Sequence, residues 1–334
     1  VFLGGDCNDP ANWDNGLPIS SASPGTVATD GSIQYNQTVD YYVTQTGGSI
    51  SNASFHGTQL DGGEWNLQGG TFSVRALNLL GGSNTSFNVS GTGFANLGNN
   101  NSDVVVDSGA AFTVTGGTVT LGRNMKLHNG VFTISGGTLT GDTDTGLGSA
   151  NFQSNGVLNF DGGTTTAHQL NLEGTNTQVN LGGNTAGSLT VEAINGTNGI
   201  IDWSPGSLMA LTVSMQTGWA EAEWNAGRLT YNGEGTATHG TWATVSSTGF
   251  GDGYAFDYDS ATGTLSLVNL PPAAPANLAA LPGDALVDLS WDTSPEPDVV
   301  SYTVYRSETA GGPYTEVMSG IATSAFTDNT VVND

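Results

Sequence analysis

The chain has 334 residues, 50 of them glycine, with 30 acidic residues against 5 basic ones and a net charge of −25. So lopsided a charge makes nucleic acid and anionic membrane surfaces poor partners, and it argues against anionic polysaccharide, which needs Arg or Lys forks. No apolar run is long enough to cross a membrane, so no membrane insertion is expected, and no stretch keeps an amphipathic helical period over three turns.

Residues 1–30 read as an irregular capping segment, with Pro10, Pro18, Pro24 and Asn15-Gly16 as turn chemistry. The start at Val1 suits an exported product that has lost its leader. Cys7 is the single cysteine, so an intrachain disulfide and a cysteine-based metal site are excluded. Trp13 is expected to cover the open end of the first coil, with sugar binding as its functional alternative.

Residues 31–270 read as a parallel β-helix. Its clearest stretch repeats one phrase, Phe112-Thr-Val-Thr-Gly-Gly-Thr-Val-Thr and then Phe132-Thr-Ile-Ser-Gly-Gly-Thr-Leu-Thr. Each copy alternates apolar and hydroxyl residues with period two, the strand signature, around a glycine pair that supplies a corner. Related phrases begin at Val43, Trp65, Phe87, Leu158 and Val179, roughly 20–26 residues apart, as in a stacked repeat. The corner glycines are Gly47, Gly48, Gly69, Gly70, Gly116, Gly117, Gly136, Gly137, Gly162 and Gly163. Second strands such as Ala76–Leu80 and Gln169–Leu172 lie between copies, and coils should stack about 4.8 Å apart.

From Gly187 to Leu270 strand character persists but the phrase fades. Trp224–Tyr231 and Tyr254–Tyr258 read as strands here. Trp203, Trp219, Trp224 and Trp242 concentrate in this region and read as the core of a cap. The alternative is a stacking platform for sugar rings, with Glu221 and Glu223 beside it. Residues 271–276, Pro-rich, read as a stiff linker. Residues 277–334 then take up a sandwich pattern, with strands at Leu286–Trp291, Ser301–Tyr305 and Tyr314–Val317.

Two family resemblances rest on these residues. Residues 272–334 resemble a fibronectin type III domain through Pro275-Ala-Asn-Leu278, Val287-Asp-Leu-Ser-Trp291, Val300-Ser-Tyr-Thr-Val-Tyr-Arg306 and Ala325-Phe-Thr-Asp328. The family continues with two more strands after a segment like Thr327-Asp-Asn-Thr330, so the resemblance implies an incomplete sandwich. Residues 9–270 resemble autotransporter-type, glycine-rich β-helix repeats of secreted bacterial proteins through Asn12-Trp-Asp-Asn-Gly-Leu-Pro18 and the Gly-Gly-Thr phrases. That resemblance implies export and architecture more than activity.

Chemistry is thinly marked. β-Helix lyases pair calcium-binding carboxylates with an Arg or Lys base, and Arg75, Arg123, Lys126 and Arg228 have no acidic cluster in the adjoining phrase. Hydrolases need two carboxylates across the sugar bond. Asp142/Asp144 and Glu221/Glu223 are candidates, since i, i+2 on a strand shares one face, but such pairs arise by chance in an acidic chain. Gly141-Asp-Thr-Asp-Thr-Gly146 resembles half a calcium loop and lacks the distal Glu, so Asp142 and Asp144 form a weak calcium site at most, and no other cofactor is expected. His56, His128, His168 and His239 have no metal-ligand spacing. Sequons at Asn36, Asn52, Asn84, Asn88, Asn100 and Asn195 match chance for this composition.

The expectation is an all-β, right-handed parallel β-helix followed by a fibronectin III-like sandwich. It is read as an exported structural protein of the bacterial surface or matrix rather than an enzyme, self-associating into a homopolymer through solenoid ends or strand complementation. The rival reading is a monomeric adhesin binding glycans through the tryptophans of 203–242. A polysaccharide-degrading enzyme comes third.

Overall fold

The computed structural model describes residues 2–7, 9–12, 24–32, 38–39, 42–52, 58–81, 85–98, 102–141, 151–296 and 299–332. A strand with apolar residues on one side only is stable when every coil turns that side toward a shared interior. The repeated phrase meets this condition by stacking on itself. Phe112 lies beside Phe132, Thr113 beside Thr133 and Val114 beside Ile134, in parallel. The result is a β-solenoid of about 7 turns, 52% strand and 6% helix.

Three strand faces build each coil. On the first, one inward column runs Val43, Trp65, Phe87, Phe112, Phe132, Leu158, Val179, Ile201 and Leu229. On the second, Ile50, Phe72, Ala95, Val119, Leu139, Thr165, Leu189 and Leu211 stack in the same way. The third face stacks Leu77, Val104, Met125, Phe152, Leu170 and Ile194. Rings meet inside both across faces and along one: Trp65–Phe72, Phe72–Phe87, Phe87–Phe112 and Phe112–Phe132 have centroids 5.0, 5.0, 5.3 and 5.7 Å apart. Tilted and edge-on pairs of this kind add about 0.5–1.5 kcal/mol each beyond burial. Of the polar residues in this interior, Gln45 is the best bonded. Gln45 donates to the Thr71 carbonyl at 2.9 Å and accepts from the Trp65 indole at 3.2 Å.

The ladder extends beyond its expected limits at the N-terminal side. Gly5–Asp6 pairs with Gly31–Ser32, and Gly25–Val27 with Tyr42–Gln45. Phe2 and Cys7 are buried. Gly5–Asp6 and Gly25–Val27 are therefore already part of the coil stack, each lying beside a strand of the next coil. Trp13 lies outside the described residues.

Toward the other end the coils persist to Leu229–Tyr231 although the phrase fades. The stretch 224–231 is not one strand. Trp219–Asn225 is a short helix, and only Leu229–Tyr231 joins the ladder. Ala, Glu and Trp favour the helix once Gly227, at φ 71°, breaks the extended run. Thr264–Asn269 then lies antiparallel against Met209–Val213 and ends the parallel ladder on that face.

The glycine corners are required for two reasons, and Gly136-Gly137 shows both. Gly137 has φ 76°, and a Cβ on it would sit 2.6 Å from the Gly116 carbonyl carbon of the coil beneath. A Cβ on Gly136 would sit 2.6 Å from the Thr115 oxygen. Gly47-Gly48, Gly69-Gly70, Gly116-Gly117 and Gly162-Gly163 occupy equivalent bends. Two of the corners stay inside continuous strands, Ala110–Leu121 and Met125–Gly141, with the ladder shifting register at the bend and resuming at Thr118 beside Thr138.

Thr244–Ala255 with Val268–Asp334 forms a second compact unit. It holds two small antiparallel sheets. Leu286–Ser290 pairs with Ala279–Gly283 and with Ala325–Asp328, and Tyr302–Arg306 pairs with Thr315–Ile321. Trp291 packs on Tyr302 at 5.2 Å. Arg306 holds the buried Asp328 carboxylate at 2.6 Å. The Pro-rich segment is not a free spacer. The Ala273 N–H donates to Glu296 at 2.9 Å and the Ala276 carbonyl accepts from Asp292 N–H at 2.9 Å, so it runs bonded to this unit.

Gly62 offers a control for the corners, with φ 79° and open space where a Cβ would go. Gly62→Ala should cost about 1–2 kcal/mol, the left-handed penalty alone. Gly137→Ala should cost clearly more, because the coil beneath must also shift. Urea unfolding midpoints of the two variants read the difference.

Candidate functional site

The four tryptophans do not form a platform. Trp203 and Trp224 are 0% exposed and Trp219 is 3% exposed. The Trp219 indole donates to the Gly263 carbonyl at 2.8 Å, and that of Trp224 to Gly240 at 3.1 Å. Phe256 gathers the cluster, 5.7 Å from Trp203, 5.8 Å from Trp224 and 5.9 Å from a stacked Trp242. Only Trp242 is half-buried, and one of its faces is taken by Phe256. Their placement is that of a core closing the end of the stack.

Glu221 and Glu223 sit on the helix, not on a strand. Two helical positions point about 200° apart, so the shared face inferred from i, i+2 is lost. Glu223 grips Arg228 through two bonds of 2.7 and 2.8 Å. That hydrogen bonding, ahead of the partial burial opposing it, pushes the Arg228 guanidinium above its ordinary range. The pair staples the turn between helix and strand. Asp142, Asp144 and His56 lie outside the described residues. Among the described residues no three His, Cys, Asp or Glu side chains converge as a metal site.

Lys126 and Arg123 find an acid one coil away rather than in their own phrase. Asp103 accepts from Lys126 at 2.7 Å and from the Asn124 amide at 3.0 Å, with Arg123 at 3.6 Å. His128 faces Asp107 at 3.0 Å. Elsewhere the outward side chains satisfy one another along the stack. Asn88 donates to Asn66 at 2.9 Å, Asn180 to Asn159 at 2.8 Å and Asn195 to Asn171 at 3.1 Å. The amides of the sequon residues Asn52, Asn88 and Asn195 are all engaged as donors.

Two polar hollows interrupt this self-satisfied surface. One, of about 280 Å³, lies over Lys126, His128, Gln153, Asn155, Asn171 and Glu173. The other, of about 250 Å³, is lined by Asn176, Gln178, Ile200, Asp202, Thr230 and Gly233. Asp202 is held by the Thr230 hydroxyl at 2.7 Å and the Gly233 N–H at 2.8 Å, both on one oxygen. Sequence reading named Lys126 and His128 but not the residues that surround them. Their signal was the outward half of the repeat, but which of them become neighbours depends on corner lengths that the phrase does not fix.

Known proteins add little. No protein-family profile matches the chain, and no solved structure does. A stretch of 62 residues is 37% identical to part of an amylopullulanase of Thermoanaerobacterium saccharolyticum and, equally, to one of Thermoanaerobacterium thermosulfurigenes. The stretch is 19% of this chain and only 5% and 3% of those two proteins.

Two outcomes follow for this region. Trp224→Ala should lower unfolding free energy by about 3–5 kcal/mol, the cost of emptying a packed aromatic site, in denaturant titration. Asp161 lies beneath Gly182, and burial pushes its carboxyl above the usual range. A raised folded value makes its ionised form destabilising above that value. Asp161→Asn should therefore stabilise the protein at neutral pH. The gain should vanish as pH falls below the ordinary carboxylate range, where both forms are neutral.

Proposed function

We propose that this chain is an exported structural component of a bacterial surface or extracellular matrix. It self-associates through the solenoid, and right-handed coils carry a fibronectin III-like module. The observation that carries this reading is the parallel ladder that, among the described residues, runs from Gly5 to Tyr231. Its inner rings and outer amides spend their interactions on neighbouring coils, which suits a stiff rod. Such a rod bears load along its axis through stacked strands. The acid-rich surface and the lone buried Cys7 fit an extracellular setting. The end beyond Leu229 is closed by the tryptophan cluster and by Thr264–Asn269, so self-association would proceed along a flank of the solenoid. In the second unit, the edge of Tyr302–Arg306 opposite Thr315–Ile321 would accept an added strand.

The adhesin reading through Trp203, Trp219, Trp224 and Trp242 is disfavoured by their burial, and the Glu221/Glu223 hydrolase reading by their helix. The short similarity to amylopullulanases supports at most a module shared with exported polysaccharide-processing proteins.

Electron microscopy with light scattering tests the proposal. Copies of −25 charge repel at low salt, and the Debye length falls to about 8 Å at physiological salt. Ordered fibres should thus appear or lengthen as salt rises. Uniform particles of one chain at every salt concentration would remove self-assembly from the account.

A further inference from the structure

We propose that the flank bearing the two polar hollows binds a neutral oligosaccharide, laid across successive coils. The inference stands apart from self-assembly and places sugar contact away from the tryptophans.

The hollows exist because one corner is longer than those beneath it. Gln153 pairs with Asn171, and Val157 with Gln178. Three residues, 154–156, link the lower pair, and six, 172–177, link the upper. The excess folds back over the lower coils. The Asn176 N–H donates to Asn155 at 3.4 Å, and its side-chain amide reaches Asn129 at 3.3 Å. This fold forms a wall with Glu173 on one side and Asn176 on the other.

Beside that wall the outward ladder is broken. Among the described residues the side chains of Gln153, Glu173 and Gln178 have no hydrogen-bond partner, unlike the stacked asparagines around them. Lys126 and His128 stand on the same strand two positions apart, with Gln153 and Asn155 beside them on the next coil. With its Nδ1 turned to Asp107, His128 presents Nε2 outward, and its side chain is 60% exposed. The functional groups thus form a grid, about 4.8 Å between coils and about 6.6 Å between alternate residues of a strand.

The chemistry of that grid selects the ligand class. Unpartnered amides and carboxylates supply donors and acceptors side by side, as vicinal hydroxyls require. The one ammonium lining the first hollow, Lys126, is already paired with Asp103 at 2.7 Å, so a neutral ligand fits better than an anion in so acidic a chain. Ile200, 43% exposed, is the one exposed large apolar residue in the second hollow, too little to anchor a peptide or lipid. No cluster of three acids is present there to hold a cation. Both hollows adjoin the same corner, so the ligand is longer than a single sugar.

The test is calorimetric titration of the full chain with maltoheptaose, cellohexaose, xylohexaose and chitohexaose. At least one should bind saturably. The double variant Gln153→Ala/Glu173→Ala should weaken it at least tenfold and Gln178→Ala about threefold, while Trp242→Ala leaves it unchanged. Because these side chains are outward and unpartnered, unfolding midpoints should not move. In the native chain the His128 ring signals should shift on addition of the binding sugar, a readout independent of any variant. Failure of all four sugars to saturate would overturn the proposal. So would unaltered binding in the double variant, loss of binding in Trp242→Ala, or a static His128 signal.

Discussion

Backbone hydrogen bonding between coils, at the strand spacing of about 4.8 Å, is the constraint on which the rest of this fold depends. At that separation a side chain has no room at a corner, which is why Gly136 and Gly137 press their backbones against Thr115 and Gly116. The same separation forces like residues into columns. An inward column is mostly apolar, and where Gln45 enters it the amide is bonded, serving Thr71 and the Trp65 indole at once. An outward column must avoid stacking like charges, and the chain does so with asparagine and threonine, whose amides and hydroxyls bond to their own kind. A rod carrying so many acids therefore keeps most of its ladder neutral.

Closure of the stack follows from the same constraint. A parallel ladder ends in an edge of unpaired groups and an open apolar section. Here the second face is met by an antiparallel strand, and the interior by Trp203, Trp224 and Phe256. An antiparallel partner cannot template another parallel coil in register, so it terminates the repeat rather than extending it. The aromatic richness of 203–258 is explained by this task, since few residues cover an apolar section as fully as indoles.

The architecture was legible because the repeat encodes it. Phe112 and Phe132 announce their stacking by their identical surroundings, and the glycine pairs mark the bends. What could not be read were features that arise between coils. Asp103 is remote from Lys126 in its phrase, yet the stack makes them partners. Glu221 and Glu223 looked like strand neighbours because the region around them is strand-rich. The helix there comes from local Ala–Glu–Trp preference, which overrides the trend of the chain. The early start of the ladder was hidden because Gly5–Asp6 and Gly25–Val27 are too short to show a period.

A solenoid also separates fold from site more completely than a globular domain does. Its inward residues are fixed by packing, so the outward half of each coil is free to vary at small energetic cost. The place to seek function is then where that half stops bonding to itself. The corner 172–177 illustrates the principle. Three added residues leave the core columns undisturbed, since Leu158 and Val179 still pair and stay buried. Yet they detach Glu173 and Asn176 from the ladder and create relief on an otherwise even wall. In such a fold a change of corner length, rather than of strand sequence, is the economical route to a binding surface.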